Sequence, residues 1–119
     1  MRREKLGEAE LEQALGTLDG WKFKKEKIKK KFKFANFAEA LVFVNEVGEI
    51  AERLDHHPDI KFGWGYAKIS TTTHDRDGVT DFDIELARQI DALAPQRVES
   101  KADILQAAEE AEKSAGNGT

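Results

Sequence analysis

Cysteine is absent from the 119-residue chain, which excludes disulfides, thiolate metal sites and cysteine nucleophiles. Long apolar runs are absent too, and no stretch approaches the roughly 20 residues of a membrane-spanning helix. The opening Met1-Arg2-Arg3-Glu4-Lys5 is charged with no apolar run behind it, so no secretory signal is expected and a cytoplasmic protein is. There are only two prolines, Pro58 and Pro95, and only three histidines. The net charge of -4 disfavours nonspecific nucleic-acid binding as the main activity, so no direct nucleic-acid partner is expected. What is present is a 39% apolar and 35% charged composition, that of one globular domain long enough to bury a core.

The three histidines all fall within residues 52–83, where His56 and His57 are adjacent and His74 follows. Imidazole is the one side chain whose ordinary pKa lies near neutrality, so clustered histidines are candidates for proton transfer or metal binding. The competing reading is that each is a solvated surface residue. Their concentration in one region weighs against that.

Along the chain, Leu11, Ala14, Leu15 and Leu18 recur at helical spacing behind Glu8, Glu10 and Glu12, and Asp19-Gly20 stops that helix. Trp21 and Phe23, then Ile28, Phe32 and Phe34, alternate with lysines and predict two strands joined by a tight turn at 25–27. The lysines of residues 22–33 read either as a phosphate-binding ribbon or as the solvated face of a hairpin. No glycine-rich loop accompanies them, which favours the solvated face. Asn36 and Glu39 suggest a capping box for a helix over 37–54 with a wide apolar face. Pro58 blocks its continuation, leaving His56 and His57 on the shoulder of an anchored helix.

Residues 60–73 predict two more strands around Gly63 and Gly65, with Ala67, Ile69, Thr71 and Thr73 on one face. Thr80 and Asp83 suggest a second capping box, opening a helix through Ile84, Ala87, Ile90 and Leu93 that Pro95 is expected to stop. The fold class expected is α+β, ordered helix-strand-strand-helix-strand-strand-helix. Its helices would pack on one face of a four-stranded antiparallel sheet. The domain is expected over 1–95, with 96–119 a partly helical or disordered extension in which 102–115 has a weak apolar stripe.

Glu52, His56-His57-Pro58, Trp64, His74 and Asp83, at these spacings, resemble the signature of the pterin-4a-carbinolamine dehydratases. In animals that family is also called the dimerisation cofactor of a hepatocyte nuclear factor. The similarity covers about residues 11–93. Many members carry Gly-Gly where this chain has Asp77-Gly78, and the family says nothing of the segment after Pro95.

The resemblance implies that His56, His57 and His74 surround a pterin, with Pro58, Thr73, Asp75 and Arg76 shaping the pocket. It implies dehydration of a 4a-hydroxytetrahydropterin to a quinonoid dihydropterin, with no cofactor and no metal. His57 and His74 are the favoured proton carriers. Asp55 and Asp75 are the carboxylates expected to orient the histidines or raise their pKa. It also implies a homodimer or homotetramer, consistent with free strand edges.

Two rivals stand beside this reading. Three histidines and a carboxylate suit zinc, although adjacent side chains usually point apart. A protein-interaction module or transcriptional coactivator that stabilises a partner's dimer is the other.

Overall fold

The computed structural model describes residues 1–98. The elements run α1 (Glu8–Gly16), β1 (Lys22–Lys24), β2 (Lys27–Lys33), α2 (Phe37–Leu54), β3 (Asp59–Gly63), β4 (Tyr66–Thr71) and α3 (Asp81–Val98), with a 3₁₀ turn at His74–Arg76. The expected order of helices and strands is the observed one. The four strands form one antiparallel sheet in the order β1-β2-β4-β3, so β2 and β4 are central and β1 and β3 are edges.

Strand alternation decides which face is covered. Ile28 and Phe32 of β2 and Ala67, Ile69 and Thr71 of β4 are buried on the inner face. Against them α2 buries Ala40, Phe43, Val47, Ile50 and Ala51, and α3 buries Ile84, Leu86, Ala87 and Ile90. Phe43 is central, its ring 4.7 Å from that of Phe32 and 4.9 Å from that of Phe34. The outer face carries lysines in register: Lys22 opposite Lys29, Lys24 opposite Lys27, Lys31 opposite Lys68, and Lys68 opposite Lys61.

Local chemistry sets the ends. Asn36 Oδ1 accepts the Glu39 N–H at 2.9 Å and starts α2. The β1–β2 turn places Lys25 and Glu26 at positive φ, the primed hairpin geometry. Gly65 has φ +80° between β3 and β4, where an added Cβ would stand 3.1 Å from the Phe34 carbonyl. Among the described residues, no helix is long and apolar enough to cross a membrane.

Two expectations are corrected. Pro95 does not stop α3, which runs to Val98. Proline's fixed φ is itself helical, and its missing N–H forfeits one hydrogen bond rather than the whole turn. Lys30 does not share the solvated face of the hairpin. It stands opposite Ile69 on the inner face, its Nζ 2.9 Å from Asp91 of α3 and 4.9 Å from the centre of the Phe32 ring. The helix expected within 102–115 lies outside the described residues.

Candidate active site

Helix α2 closes with Asp55 in the left-handed region at φ 51°. The Asp55 N–H bonds the Glu52 carbonyl at 3.3 Å, and the His56 N–H bonds the Ala51 carbonyl at 3.0 Å. This paired closure fixes the backbone entering His56. Asp55 thus closes the helix with its main chain, and Pro58 turns the chain directly into β3.

The His56 side chain is only 11% exposed, and its Nε2 lies 2.6 Å from Asp83 Oδ1. Asp83 is fully buried at the start of α3. The same Oδ1 accepts the Thr71 hydroxyl at 2.6 Å, while Oδ2 accepts the Thr73 hydroxyl at 2.7 Å and the Thr80 N–H at 2.9 Å. That last bond is one half of the expected capping box. Thr80 Oγ1 completes the cap by accepting the Phe82 N–H at 3.3 Å.

Burial alone would raise the Asp83 carboxyl, but the bonds from His56, Thr71, Thr80 and Thr73 outweigh it and hold the group below its ordinary range. An ionised carboxylate only accepts, so His56 must donate from Nε2 and present Nδ1 elsewhere. The His56 ring also packs on Phe82, at 5.8 Å between centroids, with Arg3 over the same phenyl ring.

His57 is exposed, and its Nε2 meets Glu52 Oε2 at 2.5 Å, one turn back on α2. His74 is exposed at the head of the 3₁₀ turn, immediately after the buried Thr73. Thr73 is bonded to Asp83 and so ties the His74 segment to His56. An isolated bridge between Thr73 and Gly78 closes the intervening loop. The structure thus gathers His56, Thr73 and Asp83 in one network, with Glu52 and His57 on one flank and His74, Asp75 and Arg76 on the other.

Several expected contacts fall differently. The carboxylates touching the histidines are Asp83 and Glu52, whereas Asp75 pairs with Arg3 at 3.3 Å. Trp64 is 72% exposed in the β3–β4 turn, a strand's length (about 17 Å) from Pro58, and does not join the histidines within this chain. Among the described residues, no three His, Asp or Glu side chains converge as a metal site. Thr71 and Thr80 were not among the expected site residues. The signal for Thr71 was there, a polar residue in line with Ala67 and Ile69 on the inward face. Arg2 and Arg3 were also missed. Arg2 bonds Asp81 and Glu10, and the buried Leu6 donates to Val79 at 2.8 Å, seaming the N-terminus to this corner.

A family model described as pterin 4 alpha carbinolamine dehydratase matches residues 4–93. The chain belongs to this family. A provisionally named pterin-4-alpha-carbinolamine dehydratase of Rubrobacter xylanophilus is 49% identical over 85 residues, covering 71% of this chain and 79% of that one. One from Sulfolobus acidocaldarius is 40% identical over 89 residues, covering 75% and 98%. Among solved structures, a transcriptional coactivator/pterin dehydratase from Brucella melitensis superposes with a TM-score of 0.74 at 38% identity, over 76% of this chain and 99% of that one. A pterin dehydratase-like RuBisCO assembly factor of the alpha-carboxysome reaches 0.52 at 25% identity, over 62% and 86%.

Proposed function

We propose that the chain dehydrates 4a-hydroxytetrahydropterin, giving quinonoid dihydropterin and water, and so serves tetrahydrobiopterin recycling in the cytoplasm. The observation that carries this reading is the buried Asp83, held ionised by two threonines and a backbone amide and aimed at His56, in a chain of this family. The C4a–O bond breaks as an imidazolium delivers a proton to the departing hydroxyl, which leaves as water. The N5 electron pair forms the C4a=N5 double bond, and a neutral imidazole takes the N5 proton. Such positioned acid and base groups contribute about 10²–10⁴-fold.

His57 and His74 are the proton carriers in this proposal, being the accessible imidazoles on either flank. His56, locked to Asp83, sets the floor of the site and binds the pterin. Pro58, Thr73, Asp75 and Arg76 shape the pocket. The pterin is the substrate, and no further cofactor enters the scheme. The test is direct assay of a freshly generated 4a-hydroxypterin, with the spontaneous rate subtracted at each pH. Saturable acceleration by the protein is expected, and a rate equal to the spontaneous one overturns the assignment.

A second reading has its own observation. Phe37 and Leu41 of α2 are 44% and 40% exposed beside edge strand β3, and the Phe37 ring packs on Phe62. This apolar edge suits a second copy, as homodimer or homotetramer, or a protein partner as in a coactivator role. Light scattering, with a pull-down using wild type and Leu41→Glu, separates self-association from partner binding.

A further inference from the structure

The outer face of the sheet has no part in the site just described. Along β2 it presents Lys27, Lys29, Lys31 and Lys33 at alternate positions, flanked by Lys22 and Lys24 of β1, Lys68 of β4 and Lys61 of β3. Eight lysines share this face with one carboxylate from the strands, Asp59. Among the described residues one ion pair lies on it, Lys27 with Asp59 at 3.9 Å. Lys31, Lys68 and Lys61 are directly opposite one another across three strands, an arrangement that costs stability in isolation. Lysines that guard against edge pairing belong on edge strands, yet Lys29 and Lys68 have a paired strand on either side. The net charge of -4 averages this face with acidic helices and conceals it.

A shallow trough of about 720 Å³ runs over these residues, too open to enclose a small anion and suited to an extended one. On its floor Ser70 Oγ has no protein partner among the described residues. Alternate residues of β2 are about 6.8 Å apart, comparable with the step between phosphates of an extended nucleic-acid strand. At one end Lys33 lies opposite Tyr66, next to the turn bearing the exposed Trp64, so aromatic surface for base stacking adjoins the lysines.

We infer that this face binds single-stranded nucleic acid through its phosphates, without reading sequence. The cations in register are all lysine, which meets phosphate as a point charge, where arginine would offer the bidentate fork used on base edges. A lipid surface fits less well. The lysine rows include no exposed aliphatic side chain to insert, and a twisted sheet meets a plane poorly, whereas a flexible strand follows the twist.

The test is fluorescence anisotropy of labelled oligo-dT and oligo-U of about 15 nucleotides with the full chain. Binding is expected to tighten steeply as salt falls between about 200 and 50 mM. The Lys31→Gln/Lys61→Gln/Lys68→Gln variant should bind at least tenfold more weakly, with a log–log salt slope shallower by about 2, at roughly 0.7 per phosphate lost. Its melting temperature should be at or above the wild-type value, because the like-charge contacts are relieved, and its dehydratase rate should stay at wild type, since these side chains lie outside the histidine site. Lys68→Glu alone supplies a second, smaller perturbation. No binding at low salt, unchanged affinity in both variants, or binding to phosphatidylserine vesicles but to neither oligonucleotide would overturn the inference.

Discussion

Replacing Asp83 with alanine removes the common acceptor of the His56 ring, two threonine hydroxyls and the Thr80 amide. Stranding those buried groups should cost about 3–5 kcal/mol, with Asp83→Asn intermediate, as read by chemical denaturation at neutral pH. The sign with pH follows from the depressed carboxyl. Its folded value lies below its unfolded one, so its contribution is complete above about pH 4–5 and is lost as pH falls through the folded value. The stability gap between wild type and Asp83→Asn should therefore narrow from pH 7 to about pH 3; a constant gap would show that the charge is not what the network holds. At this scale the motif residues were legible because their chemistry recurs at fixed spacing. Which carboxylate serves which histidine was not. Asp75 is near in sequence but pairs with Arg3, and the carboxylates bonded to His57 and His56 are Glu52 and Asp83.

Between elements, the Asp91 carboxylate joins α3 to the sheet by accepting from Trp21 Nε1 and from Lys30, both at 2.9 Å. Asp91→Ala should cost about 2–3 kcal/mol and lower the melting temperature by roughly 10–20 °C without moving the histidines. A change within about 2 °C would mean that water replaces both bonds. This tie was hidden in the sequence because Lys30 sits in a run of lysines whose neighbours face solvent, and only the strand register separates it from them. The identity and order of the elements were legible from periodicity and capping, as at Asn36 and Thr80. The strand order was not, because pairing β2 with β4 is a contact between distant segments that no local pattern encodes. Pro95 misled because its ring keeps the helical φ, so the loss of one N–H bond does not by itself end the helix.

For the whole molecule, every buried apolar side chain among the described residues lies within residues 6–90, and the family match ends at 93. A chain ending at Val98 should keep cooperative melting and most of its activity. Loss of the melting transition would make 99–119 part of the folding unit. The account of the molecule as an enzyme rests on proton transfer by imidazoles held on two flanks of the Asp83 network. The most direct measurement is the catalysed decay of freshly generated 4a-hydroxytetrahydropterin, corrected for its spontaneous loss, in wild type, His57→Ala and His74→Ala. Both histidines are exposed, so both variants should fold, and each should lose at least tenfold in rate. Folded variants that dehydrate the substrate as fast as wild type would contradict the account.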